Sequence, residues 1–364
     1  MTIPDPARFR SEFPVFEHRS YLNAGTEGPV PRRAAEAVTR RVELEMTQGR
    51  CGRPYFDELI ELATRVREGY SRALGCPASD VALTGSTTDG VNTVLGGLDL
   101  REGEEILTSD EEHPGLLAPL GRARRRYGAI VRVAPFGELT EHVSAATRLI
   151  ACSHISWVSG RVVDAPGLAG TRVPVLLDGA QGLGAVPVDV QALGCDFYAA
   201  SGQKWLCGPE GSGCLFVSGR RLDDLLIPWP GYGSLADPEH PLDLEPAPGV
   251  ARFDHGFPSG IRSAWALASL QLLEEAGWDW IHERAVSLAE RLATRLQGLG
   301  LEVRDRGRST LVSWHVQDPA GEVERLAAAG FVIRHIAAFG VVRASVGAWS
   351  SEDELERLAQ AAAG

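Results

Sequence analysis

The sequence predicts an α/β fold: a mostly parallel sheet with helices on both faces, followed by a smaller α+β unit. Two observations carry this. Apolar runs of four to six residues alternate with helical stretches as far as Val217, and they are apolar throughout instead of every second residue, as a sheet covered on both sides requires. From Ile261 onward helices dominate and strands become few. A third feature sits between them: Pro228-Trp-Pro-Gly-Tyr-Gly-Ser234 and the acidic, Pro-rich 235–249 read as a crossing. The expected division is a segment 1–20 packing with the small domain, a large domain over 21–250 and a small domain over 251–364.

Taken in order, Tyr21 to Pro31 is a Gly/Pro-rich loop. It leads into a helix with Ala35, Val38, Val42 and Met46 on one stripe. Phe56, Leu59, Ile60, Ala63, Val66 and Tyr70 mark a second amphipathic helix. Val81–Thr84 reads as a strand, and a helix with Val91, Val94, Leu95 and Leu98 follows. Further strands are expected at Glu105–Ser109, 129–134, 148–152, Val173–Leu177, Phe197–Ala200 and Cys214–Val217. Between Gly160 and Val173 an abbreviated helix of roughly one turn is expected. The C-terminal part reads as helices 262–276 and 278–298, a strand near 309–316 and a helix near 320–329. Strands near 331–335 and 340–346 come next, then a last helix opened by the capping box Ser351-x-x-Glu354.

A chain of 364 residues, 44% hydrophobic and 23% charged, describes an ordinary globular protein. The net charge of −12 argues against nucleic acid or an anionic membrane as partner. The basic run Arg122 to Arg126 closes a helical segment, where cations complement the dipole, and reads as a solvated face. No stretch is apolar for the roughly 18 residues of a membrane span. The N-terminus lacks the charged and apolar regions of a secretion signal, so a cytoplasmic protein is expected. Six cysteines at irregular spacing form neither a disulfide framework nor a zinc site; no metal is expected.

Three places carry candidate chemistry. After the strand at 81–84, Gly85-Ser-Thr-Thr-Asp-Gly opens a helix, so Ser86, Thr87 and Thr88 stand where free N–H groups and the dipole attract a phosphate. Simple capping needs one of them and explains the loop equally well. His113 stands at the carboxyl end of the strand 105–109, where ligand sites of open α/β sheets lie. The third place is 176–216, where Asp178 ends one apolar run and Lys204 lies in a polar loop between two others. An acid and a lysine at strand ends are what a pyridoxal phosphate enzyme needs. The amine condenses with the cofactor aldehyde, and the carboxylate keeps the pyridine nitrogen protonated.

Asp178-Gly-Ala-Gln181 together with Ser201-Gly-Gln-Lys204 resembles the paired signature of class V pyridoxal phosphate enzymes. That group contains cysteine desulfurases, cysteine/cystine C–S lyases and kynureninase. The resemblance covers about 20–355 and implies the fold-type I architecture, with a seven-stranded, mostly parallel sheet. It implies that His113 stacks on the cofactor ring, Gln181 meets its phenolic oxygen, and Ser201 and Gln203 join the phosphate contacts. Asn23 and Thr26 would lie over the site mouth. Trp157, within Ser153-His-Ile-Ser-Trp-Val-Ser-Gly160, is similar to the lyases, since desulfurases usually carry Asn there and His at Gln203.

Arg334 and Arg343 sit nine positions apart on two small-domain strands. A guanidinium fork matches a carboxylate, although Arg334 also suits a surface or an internal ion pair. By resemblance Arg343 binds the substrate carboxylate, and Arg334 is the second arginine that the cystine lyases use for the far end of a disulfide substrate. The desulfurases' nucleophilic cysteine has no counterpart, as no cysteine follows Cys214. By resemblance Phe257 takes the place of the threonine with which family members reach the neighbouring subunit's phosphate; either Ser259 substitutes for it or the contact is lost. The expected activity is therefore β-elimination on a sulfur-containing amino acid by a pyridoxal phosphate-dependent homodimer. A class V aminotransferase or epimerase is the alternative, and a desulfurase or a non-catalytic cofactor-binding protein fits less well.

Overall fold

A computed structural model describes residues 5–254 and 256–364. The chain opens with α1 (Pro6–Ser11), β1 (Ser20–Tyr21), α2 (Arg32–Gln48) and α3 (Gly52–Leu74). Strand–helix alternation then gives β2 (Val81–Thr84), α4 (Thr87–Gly97), β3 (Glu105–Ser109), α5 (Pro114–Tyr127) and β4 (Ile130–Ala134). It continues through β5 (Thr147–Ser153), α6 (Ala165–Gly170), β6 (Val175–Asp178), α7 (Val190–Leu193), β7 (Phe197–Ser201) and β8 (Gly213–Val217). After the crossing come α8 (Gly260–Ala276), α9 (Trp278–Gly298), β9 (Leu311–His315) and α10 (Pro319–Ala328). The end is β10 (Phe331–Val332), β11 (Arg334–Ile336), β12 (Val341–Ser345) and α11 (Glu352–Ala363).

Seven strands form one sheet in the order β2-β8-β7-β6-β5-β3-β4. It is parallel except at β8, which runs against both β2 and β7. The fold is the expected fold-type I α/β architecture. Its apolar runs bury both faces, and successive residues divide between two cores. Ile106, Leu149, Leu176, Phe197 and Leu215 face one core. Leu107, Ile150, Leu177, Tyr198 and Phe216 face the other. Cutting such a side chain back to alanine costs about 2–5 kcal/mol, so these runs fix the sheet firmly enough to hold groups at its edge.

A three-stranded sheet, β11-β12-β9, packs with α9 and α11 around Trp314, Val342, Leu292 and Leu358. The N-terminal segment lies against this unit: β1 pairs with β10, Arg10 holds Glu354 at 2.8 Å, and Phe13 packs on Trp349. Meanwhile α8 packs across α2 and α3. The capping box at Ser351 forms as expected. Among the described residues no helix is long and apolar enough to cross a membrane.

One expectation fails. The stripe on α2 is not buried: Met46 is 77% exposed and Val42 40%. The covered face carries Ala34, Arg41 and Glu45 instead, with Arg41 and Glu45 paired at 2.8 Å. Arg41 lies beneath Gly260 of α8, where a β-carbon would come within 2.5 Å of its Nε. An ion pair fills the helix–helix contact, and the apolar side is left outside. Phe56 and Ile60 of α3 are exposed likewise.

Candidate active site

The carboxyl ends of β3, β5, β6 and β7 share one edge, the usual ligand-binding edge of an open α/β sheet. Asp178 is the last residue of β6, registered against Ser153 of β5 and Ala199 of β7. Lys204 follows three residues after the end of β7. A cavity of about 240 Å³ opens there. Its wall brings together Ser86, Thr87, Thr88, Ser201 and Gln203 from the α4 side. His113, Asp178, Gln181 and Lys204 come from the other strand ends, and Thr26, Trp157 and Arg334 complete it.

The first turn of α4 is tied to the lysine loop. Ser86 caps the helix, its Oγ accepting from Asp89 N at 3.1 Å. Ser201 Oγ accepts from Thr87 N at 3.0 Å and meets Thr87 Oγ1 at 2.7 Å. One hydroxyl caps the helix, and Thr87, Thr88 and the first turn of α4 line the cavity, so capping leaves the helix N-terminus facing it. Gln203 Oε1 is buried and unpartnered. The Tyr21–Pro31 loop crosses this region through Gly28, whose N–H donates to Gln203 O at 2.6 Å. A β-carbon on Gly28 would fall 2.0 Å from Lys204 O, so only glycine allows this crossing.

Asp178 is buried, with Oδ1 accepting from Ala180 N at 2.9 Å. Burial raises its carboxyl above the usual range, while the charge of Lys204 pulls it back. Burial likewise lowers the Lys204 ammonium, opposed by Asp178 and assisted by Arg343. Among the described residues Nζ has no hydrogen-bond or ion-pair partner. A lysine so placed releases its proton more readily than one in water. His113 caps α5, its Nδ1 accepting from Gly115 N at 2.9 Å, which leaves the ring proton on Nε2. Burial, then Lys204, Arg334 and Arg343, push this histidine down to about 4, so it is neutral. Its ring meets Trp157 edge-on at 4.7 Å.

Gln181 is committed at both ends of its amide: Nε2 donates to Gly25 O at 2.8 Å, and Oε1 accepts from Trp205 Nε1 at 3.1 Å. One amide N–H remains for a ligand. Behind His113, Glu112 accepts from Ser109 Oγ and Ser153 Oγ, both at 2.5 Å, and burial pushes it up to about 7. Glu111 accepts from Ser156, from Ser159 Oγ at 2.6 Å and from Arg161 at 2.9 Å, fixing the loop that carries Trp157. Sequence reasoning missed Glu111, Glu112 and Trp205. The acidic pair before His113 was the available signal.

Arg334 and Arg343 stand directly opposite each other across β11 and β12. Arg343 is fully buried; Nη1 donates to Trp157 O at 2.7 Å, while Nε and Nη2 have no partner. Burial, then Arg334, bring it down to about 9. Its Nη2 lies directly behind Gly25 of the cavity wall, where the lack of a side chain leaves the approach open: a β-carbon there would be 2.9 Å from Nη2. Arg334 is half-buried, donates to Thr26 Oγ1 at 3.2 Å and lies 5.5 Å over the Trp157 ring. Among the described residues no carboxylate lies within 4 Å of either.

One expectation needs correction. Asn23 does not line the cavity: it bridges Ser345 through its backbone, and its Oδ1 accepts from Thr26 Oγ1 at 2.8 Å. Through that bond it positions Thr26. Ser259 caps α8, its Oγ accepting from Arg262 N, and lines a hollow beside Phe257 that also takes in Gly85 and Asp89. Glu27, which the sequence did not single out, does line the cavity.

The residues fit pyridoxal phosphate: a half-buried lysine amine without a partner, a buried carboxylate with one uncommitted oxygen, a neutral histidine and a hydroxyl-lined helix N-terminus. Fold and site together define a pyridoxal phosphate-dependent enzyme. The chain belongs to the aminotransferase class-V family, which it matches over residues 29–358. It is 26% identical to a probable cysteine desulfurase of Methanothermobacter thermautotrophicus, with 96% of each chain covered. It is 34% identical to the isopenicillin N epimerase of Amycolatopsis lactamdurans over 61% of this chain and 60% of that one. Two structures of C-DES are similar at 28% identity. A mutant with glycine covalently linked to the pyridoxal phosphate cofactor gives a TM-score of 0.91, covering 99% of both chains. The complex of this cystine C–S lyase with its product cysteine persulfide gives 0.89, covering 96% of this chain and 99% of that one.

Proposed function

We propose that this enzyme performs β-elimination on a cysteine, cystine or S-substituted cysteine, giving pyruvate, ammonia and a thiol or persulfide. The observation that carries the reading is the facing pair Arg334 and Arg343, left without carboxylates beside a lysine amine. Two like charges opposite each other in a sheet are unfavourable unless something anionic joins them. An amino-acid substrate brings that anion. Similarity to the cystine lyase C-DES supports the same reading.

Asp178 would hold the cofactor's ring nitrogen, His113 its face, Gln181 its phenolic oxygen, and Ser86, Thr87, Thr88, Ser201 and Gln203 its phosphate. When bound, the cofactor supplies an electron sink for a carbanion at the substrate Cα. Arg343 takes the substrate carboxylate in its fork, which orients the Cα–H bond. Lys204 Nζ, its basicity lowered by burial, removes that proton and can return one. The Cβ–S bond breaks with its electron pair on sulfur, and water completes the products. A persulfide is a better leaving group than an ordinary thiolate, which favours a disulfide substrate.

A desulfurase needs a thiol to accept sulfur. No cysteine lines the cavity, and the turn Ala337–Phe339 between the two arginine strands contains none. An epimerase is the second reading, favoured by the resemblance to isopenicillin N epimerase. The exposed apolar side chains Met46, Phe56, Ile60 and Phe257 support a homodimer, and mass measured by light scattering tests it. The activity is tested by incubating holoenzyme with cystine, cysteine and S-substituted cysteines. Pyruvate with equimolar ammonia is expected; alanine would identify a desulfurase, and racemised substrate without pyruvate an epimerase.

A further inference from the structure

A thiolate of ordinary basicity is a poor leaving group unless it is protonated as its bond to carbon breaks. Among the described residues the titratable side chains on the cavity wall are Glu27, His113, Asp178, Lys204 and Arg334. Four of them are unsuited to that task. Asp178 serves the ring nitrogen and Lys204 the Cα proton. Arg334 keeps its charge at any working pH. His113 is neutral, so giving up its Nε2 proton would leave an imidazolate. Glu27 remains. It is half-buried, and among the described residues its carboxylate has neither a hydrogen bond nor an ion pair. Its main chain is nonetheless fixed. The Glu27 N–H donates to Asn23 O at 3.1 Å, its carbonyl accepts from Tyr21 Oη at 2.9 Å, and Gly28 next to it is anchored on Gln203. Burial, then Glu210, raise its carboxyl, and the charge of Lys204 acts on it in the opposite sense.

We propose that Glu27 is the proton donor to the leaving sulfur, a catalytic residue of the elimination. Lys204 takes the Cα proton, and the electrons of that C–H bond become the second bond between Cα and Cβ. The electron pair of the Cβ–S bond passes to sulfur, which takes the Glu27 proton and departs as a neutral thiol. Lys204 then gives a proton to solvent and Glu27 regains one from it, through its exposed side. The inference rests on the lyase reading and concerns the reacting sulfur alone, whatever group the sulfur carries.

The test compares holoenzyme of wild type and Glu27→Gln on S-ethylcysteine and S-trifluoroethylcysteine. These differ only in fluorine for hydrogen, which makes the departing thiolate much less basic and so less in need of a proton. Glu27→Gln should release pyruvate about a hundredfold more slowly from S-ethylcysteine, but less than about twofold more slowly from the fluorinated substrate. In heavy water the variant should still exchange the Cα proton of S-ethylcysteine at the wild-type rate, read by NMR, because Lys204 keeps that step. Its melting temperature should be no lower than that of wild type, since the carboxylate gives up no bond. Equal losses on both substrates, or none, would overturn the proposal, as would proton exchange that falls in step with pyruvate. Melting several degrees lower would overturn it too, by giving the carboxylate a structural role. Wild type that forms pyruvate from neither substrate nor cystine would remove the lyase reading and this role with it, whereas the other results leave that reading standing.

Discussion

The two sides of the cavity are built on opposite principles. On the large sheet, Asp178, His113, Gln181 and Ser201 each have protein partners that fix their positions. On the small sheet, Arg343 is fully buried with two nitrogens unpartnered and another arginine facing it. The first side is fixed by its own protein bonds, with Lys204 Nζ and Gln203 Oε1 left open, and the second is stable only because the rest of the fold over-determines it. Strain of that kind is what a binding site retains at a cost in stability. The difference says which side waits for a ligand and which side works on it.

Removing the reacting amine should have the largest effect. Lys204→Ala is expected to lose at least about a thousandfold in pyruvate release and to lose the visible absorption of bound cofactor. Arg343→Met should lower kcat/KM about a hundredfold for every amino-acid substrate, mostly through KM, since the carboxylate would lose a buried partner. Arg334→Met separates the arginines: about a tenfold loss with cystine and little change with cysteine, measured as kcat/KM. The smallest effect concerns pH and the completed side. His113, His154 and His282 are each held to about 4, below the ordinary histidine value, with burial the first cause. Neutral histidines contribute stability that is present above about pH 6.5 and lost as pH falls toward 4. The melting temperature should therefore drop by a few degrees or more across that window. Replacing fully buried His154 by Gln should flatten the drop in a pH series of melts.

The completed side was the more legible in sequence, for a physical reason. Asp178 and Lys204 are placed by the ends of neighbouring strands, and strand ends are local features of an apolar run. Arg334 and Arg343 were legible as residues, but their direct opposition depends on the β11–β12 register. Asn23 and Glu27 lie in an irregular loop, whose side chains are aimed by distant contacts to Ser345 and Gln203. No periodicity reports that. The α2 stripe shows the same limit: helical spacing reveals an apolar side, but the Arg41–Glu45 pair under α8 decided which side is covered.

The account depends on the Arg343 guanidinium being held for a substrate and not for the fold, and thermal unfolding of wild type and Arg343→Met measures this directly. Without ligand the variant should melt no lower than wild type. It gives up one bond to Trp157 O but frees the core of an unpaired charge. With a saturating S-alkyl cysteine that is not eliminated, only the wild type should gain stability. A variant several degrees less stable without ligand, or one stabilised as much as wild type, would contradict it.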